Sequence, residues 1–280
     1  MKLLQTLGLN LLEAEVYMLL LTQDEPITAY RIGKAINKPT ANVYKAIDSL
    51  MWKGAVMVDD GEPRLCRPVP LEEFLGHLEK TYVQTARQAA ETLAHLSKPT
   101  QDERIYQIHS MPLIFERCRA LLGRAETIAV IDIFPKAMEE LLPAIEETAA
   151  RGVETYVQVY EPTTIKQVHL VQAFESQEIL AHWKCQQLNC VSDGKEVLLA
   201  LMGNNLSKVF QAIWTQSPFL ACVLHAGFLR EHLFHSIAAL KDQENFPSAI
   251  QKLLIEHPSF HSTHIPGQKL LFSRLGVEEI

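Results

Sequence analysis

The residues best suited to chemistry lie on one helix face between Lys38 and Gly54, KPTANVYKAIDSLMWKG. Val43, Ala46, Ile47, Leu50 and Met51 recur at the spacing that lines one side of a helix. Lys38, Ala41, Asn42, Lys45, Ser49 and Trp52 are left on the other side, with the acid Asp48 at its edge. Pro39 suits the first turn, because its missing N–H costs little there. Gly54 suits the residue just past the end. A face of small residues, one amide and cations can enter the DNA major groove, its N-terminal residues nearest the bases. The other reading of such a face is a solvated helix surface.

Other chemistry-bearing groups are weaker. His182, Cys185 and Cys190 have the spacing His-x2-Cys-x4-Cys. A closed zinc site takes four ligands in tight pairs, and no second pair lies nearby, so no metal is expected. His225, His232 and His235 could sense pH, but beside Phe228, Leu229 and Leu233 they read as a partly buried helix flank. No glycine-rich phosphate loop occurs, which argues against nucleotide-driven work, and no cofactor is expected. The five cysteines are odd in number and scattered, a pattern of reduced thiols rather than of a disulfide framework.

The elements that must hold the Lys38–Gly54 helix follow from the flanking sequence. Leu11 to Leu21 reads as a helix capped by Asn10. Thr28 to Ile36 reads as a short helix with Ile32, Ala35 and Ile36 turned inward, and Asn37-Lys38 as a tight turn. Ala55–Asp59 and Arg64–Val69, around Asp60-Gly61-Glu62-Pro63, read as a β-hairpin. Three helices and a hairpin make a winged helix-turn-helix, with a wing tipped by Arg64 and Arg67 that lies along the phosphate backbone. From Thr28 to Lys53 the cations Arg31, Lys34, Lys38, Lys45 and Lys53 face Asp48 alone. The whole chain carries a net charge of −7, so binding to nucleic acid would fall to that local patch.

LGLNLLEAEVYMLLL, PITAYRIGKAI, PTANVYKAIDSLMWKGAV and PRLCRPVPLEEFL, in that order, resemble the N-terminal domain of the TrmB family of prokaryotic transcriptional regulators. The resemblance covers about the first 75 residues. It implies double-stranded DNA as partner. Thr40, Ala41, Asn42 and Lys45 would then face base edges, with Tyr44 flanking near a phosphate and Ser49 on the same DNA-binding face. Arg31, Lys34, Lys38, Lys53, Arg64 and Arg67 would pair with phosphates.

Leu71, Leu75, Leu78, Tyr82, Thr85, Ala89, Thr92 and Leu96 step by fours and threes, the period of a coiled-coil seam. A dimerising helix is expected, because a two-fold symmetric DNA site needs two copies to read both halves. Beyond the linker Ser97–Asp102 the pattern alternates strand and helix, which predicts an α/β domain with a mostly parallel sheet. Its order, with the Ser192–Glu196 turn and the strand ending Ile213-Trp214-Thr215, resembles a phospholipase D-like domain. That superfamily's His-x-Lys-x4-Asp motif, aligned on Asp193, falls on Gln186 and Leu188. An amide cannot form a phosphohistidine and leucine cannot neutralise a phosphate, so the resemblance implies a shape without the reaction.

The expected division is 1–70 winged helix, 71–100 dimerising helix and linker, 101–241 phospholipase D-like α/β domain, and 242–280 C-terminal helix and tail. No stretch approaches the roughly 18 apolar residues needed to span a membrane. The reading is a cytoplasmic homodimeric DNA-binding regulator, not an enzyme, with no membrane partner. A small-molecule effector pocket is expected at the strand ends Asp132, Phe134, Tyr160 and Trp214. The alternatives are a winged-helix protein-docking scaffold and a phospholipase D-type phosphodiesterase.

Overall fold

A computed structural model describes residues 1–96, 102–260 and 265–276. It divides into two compact units, 1–99 and 100–280. Ser97–Gln101 of the expected linker, and His261 and His264, lie outside the described residues.

The first unit contains α1 (Lys2–Thr6), α2 (Leu11–Leu21), β1 (Ile27–Thr28), α3 (Ala29–Ala35), α4 (Thr40–Trp52), β2 (Val56–Val58), β3 (Leu65–Pro68) and α5 (Leu71–Leu93). A complete capping box opens α2: Asn10 accepts from the Glu13 N–H, and Glu13 accepts from the Asn10 N–H. The wing hairpin is present, and β1 adds a third strand beside β3. Val16, Tyr17, Leu20, Ile32, Val43, Ile47 and Leu50 make one core. Two inward assignments fail: Met51 and Ala35 are exposed. Gly33 packs inward on α3 instead, where a Cβ would lie 3.0 Å from the Lys38 carbonyl oxygen. The root of α5 is held by Phe74, buried edge-on against Tyr17 at 5.1 Å, and by the Tyr17 hydroxyl donating to the Val69 carbonyl.

The second unit contains β4 (Tyr106–Gln107), α6 (Met111–Arg124), β5 (Ile128–Ile133), α7 (Pro135–Ala150), β6 (Glu154–Val159), β7 (His169–Gln172), α8 (Ser176–His182), β8 (Cys185–Ser192), β9 (Glu196–Gly203), β10 (Val209–Thr215), α9 (Pro218–Ala239), α10 (Phe246–Glu256) and α11 (Pro266–Leu275). The seven strands run in the order β4-β10-β9-β8-β5-β6-β7. The expected mostly parallel sheet is not found. Only β5–β6 and β6–β7 are parallel, and the other four pairings are antiparallel. After β7 the chain turns back through two short hairpins, and a short loop can only join antiparallel neighbours. The first hairpin turns on Asp193 and Gly194, both at positive φ.

Successive residues of each strand face opposite layers. Ile131, Ile133, Leu188, Cys190 and Leu198 pack with α6 and α7. Ile128, Val130, Tyr156, Val191 and Val197 pack beneath α9. Among the described residues no helix is long and apolar enough to cross a membrane.

Candidate nucleic-acid interface

The α3–α4 turn sets the site. The close approach at Gly33 and the positive φ of Asn37 bring α4 directly after α3 with its apolar stripe on α2. Ala41, Asn42, Tyr44 and Lys45 are therefore exposed on one side, with Thr40 half-buried at the start. Pro39 supplies no side-chain cap, so the first N–H groups of α4 remain open to an anion. Arg31 and Lys34 are exposed on α3, and Trp52 is 92% exposed at the far end of α4. Tyr30 is exposed beside Arg31. It stands at the second position of α3, where the Thr28 hydroxyl caps the helix by accepting from the Arg31 N–H.

Two expected phosphate contacts, Lys53 and Lys38, change, and so does Ser49. The Lys53 ammonium donates to Glu13 Oε2 at 2.6 Å and to the Gly8 carbonyl at 2.8 Å, so it is turned into the unit. Burial raises the Glu13 carboxyl, but hydrogen bonds from Lys53, Ser49 and the Asn10 backbone outweigh it and hold the group below the usual carboxylate range. Ser49 thus faces α2 rather than the open side. Lys38 lies 3.8 Å from Glu15. Both carboxylates come from α2, outside the Thr28–Lys53 segment, which is why counting within that segment overstated its cationic charge. The wing differs as well. Its tip is Asp59 to Pro63, rich in acids, while Arg64 closes the turn and Arg67 is exposed within β3. The open cationic groups are Arg31, Lys34, Lys45, Arg64 and Arg67.

In the second unit, Asp132, Phe134 and Tyr160 come together but are buried. The Tyr160 hydroxyl donates to Asp132 at 2.9 Å, and Gln187 and Asn189 donate at 2.6 and 2.9 Å. The Phe134 and Tyr160 rings lie 4.3 Å apart. Burial raises the Asp132 carboxyl against these hydrogen bonds. Trp214 is not with them. It sits on the opposite layer, donating to Glu196 at 2.6 Å under the Arg117 guanidinium. The four residues therefore form no common pocket, because β5 and β10 stand apart in the sheet with β8 and β9 between them.

The positions aligned with a phosphodiesterase motif also have other work. Leu188 is wholly buried in the core. Gln186 accepts from the Lys136 N–H at 3.0 Å and donates to Asn204 at 3.0 Å. The Asp193 carboxylate accepts from the N–H groups of Glu126, Thr127 and Ile128, tying the β8–β9 turn to the start of β5. Cys185 and Cys190 lie five residues apart on β8 and so face opposite layers, while His182 bonds back to the Glu178 carbonyl. His225, His232 and His235 are buried rather than flanking.

Residues 4–72 match the family model of TrmB, the sugar-specific transcriptional regulator. The N-terminal unit carries a TrmB domain. The match covers the winged helix and the first residues of α5, and it supports a DNA-binding transcriptional regulator. YrhO of Bacillus subtilis (strain 168), an uncharacterized protein, is 23% identical over 236 residues, spanning 82% of this chain and 85% of its own. A solved structure of TrmBL2, an archaeal chromatin protein with a novel mode of DNA binding, aligns with a TM-score of 0.40 at 20% identity, covering 79% of this chain and 91% of that one. NucT from Helicobacter pylori aligns with a TM-score of 0.36 at 10% identity, covering 46% and 94%. Both structural alignments are too loose to carry an argument.

Proposed function

We propose that this chain is a sequence-specific DNA-binding regulator that acts as a homodimer and whose second unit senses an effector. The observation that carries the reading is the open side of α4. Ala41, Asn42 and Lys45 are exposed there after half-buried Thr40, and Arg31 and Lys34 on α3 and Arg64 and Arg67 on the wing are exposed as well. Base-edge contacts from α4 would specify sequence, and the surrounding cations would set orientation and supply the salt-dependent share of affinity.

The homodimer is supported by α5. Leu71 and Leu75 are exposed along it and Leu96 just past its end, and Tyr82 is 79% exposed. Leu75, Leu78, Tyr82 and Val83 also line a groove of about 800 Å³ against Leu7. A second α5 laid along this seam would cover side chains that are otherwise open to water, Ala89 among them. The phospholipase D-like layout of the second unit remains part of the proposal, as a frame without its reaction.

The test is selection of duplexes from a random pool, followed by fluorescence anisotropy at several salt concentrations. Enrichment of a two-fold symmetric site, with affinity falling steeply as salt rises, is the expected result. No enrichment and salt-insensitive binding would overturn it in favour of a winged helix that docks on protein, a reading to which the acidic wing tip lends some support.

A further inference from the structure

A cavity of about 310 Å³ lies in the second unit between α9 and the C-terminal segment. Its outer wall is anchored. Gly267, at the start of α11, donates its N–H to the Asp193 carbonyl at 2.8 Å. A Cβ at position 267 would lie 1.8 Å from the Gly194 carbonyl oxygen, so only glycine lets α11 sit on the β8–β9 turn. That contact fixes Ile265 as one side of the cavity, opposite Leu229 and Leu233, with Phe260 completing the apolar lining.

The lining also carries polar groups: Ser259, which donates to Glu154, Cys222, which donates to the Gly194 carbonyl, and Gln268, His225 and Arg230. The His225 ring is 4% exposed, and neither of its nitrogens has a hydrogen-bond partner among the described residues. Burial holds its pKa down to about 4, against the pull of Glu154 and Asp193, so at neutral pH the ring offers one donor and one acceptor. A buried polar group left unpaired is costly, and a ligand atom that meets it recovers that cost. Arg230 lines the same cavity and is exposed to solvent. Its guanidinium presents the fork that matches a carboxylate. The space holds about ten water-sized groups at roughly 30 Å³ each, near the lower bound of ligand pockets.

We propose that this cavity binds a small organic acid with a short apolar body and a hydroxyl at its far end. The carboxylate would pair with Arg230, the body would lie between Leu229, Leu233, Phe260 and Ile265, and the hydroxyl would meet His225. As the effector of a regulator, such an acid rests on the function proposed above. Its binding as such does not.

The experiment is isothermal titration of the full chain at neutral pH with 4-hydroxybenzoate, benzoate and phenol, beside Arg230→Gln and Leu233→Trp. Saturable binding of 4-hydroxybenzoate is expected, weaker by about tenfold or more for either single-group analogue. Arg230→Gln should erase the preference for the acid over phenol, and Leu233→Trp should fill the cavity and abolish binding. Thermal melting and circular dichroism check that both variants fold. Absence of heat up to millimolar acid, or equal affinity in wild type and Arg230→Gln, overturns the proposal. Anisotropy with the selected duplex separates the two readings. Acid binding without DNA binding would sink the regulator and leave the site, whereas DNA binding without acid binding would sink the site alone.

Discussion

Two lysines of the N-terminal unit show how far residue type falls short of role. Lys45 and Lys53 are both cations of the α4 segment, eight residues apart, yet one is open and the other is bound to buried Glu13. Lys45→Ala should weaken DNA binding while leaving the melting temperature unchanged, and Asn42→Ala should relax sequence preference at one position of the site. Unaltered affinity and selectivity in both would remove α4 as the reading helix. Lys53→Met should instead cost about 1–3 kcal/mol of stability, because it strips a charged partner from a buried carboxylate, and chemical denaturation would measure it. The buried histidines of α9 make a prediction about pH. Burial holds His225 at about 4 and His232 at about 3, the latter with help from His169, His257 and His235. Unfolded, both titrate near 6.5. The unfolded chain then binds more protons as pH falls, so stability contributed by the neutral rings is full above about 6.5 and is lost progressively towards their folded values. Denaturation midpoints between pH 7 and 4.5 should fall with acid, and His232→Leu should flatten that slope. A flat profile in the wild type would contradict the burial.

At the level of elements, α5 is a helix whose root and shaft have different partners. Phe74 locks its first turn to α2, and beyond Leu78 all its described residues are exposed. A 23-residue helix gains most of its stability from a packed face rather than from propensity, which leaves its seam to a second copy. Tyr82→Glu should shift sedimentation from dimer to monomer and weaken binding to a two-fold site more than to a half-site. An unchanged dimer would move the contact to the second unit. The heptad period of α5 was legible in sequence because it repeats within one element. The antiparallel majority of the larger sheet was not. One hairpin, Gln187–Ser192 with Glu196–Met202, was legible from its Asp193-Gly194 turn, but the β9–β10 turn, β7 and α8 are short, mixed sequences that carry little periodicity.

For the whole molecule, an acidic chain presenting a cationic patch should bind DNA through few but strongly salt-dependent contacts. Each phosphate neutralised adds close to one unit to the slope of log affinity against log salt. Arg64→Ala should lower that slope by about 1 with little change of sequence preference, read by anisotropy over a salt series. An unchanged slope would take the wing off the backbone. The sequence by itself determined the helix-turn-helix, the wing, the outward positions Ala41, Asn42, Lys45 and Trp52, and the long helix after it. These rest on local periodicity, caps and turns, which are properties of neighbouring residues. Only the tertiary structure decided which charges were already taken. The partner of Lys53 lies 40 residues away on α2. It also separated Trp214 from Asp132, since strand order holds β10 and β5 apart and the pleat turns the two side chains to opposite layers. The His225 cavity, too, exists only because Gly267 brings the end of the chain onto a turn more than seventy residues earlier. Pairings across such distances depend on packing and desolvation between elements, and no local pattern in the chain records them.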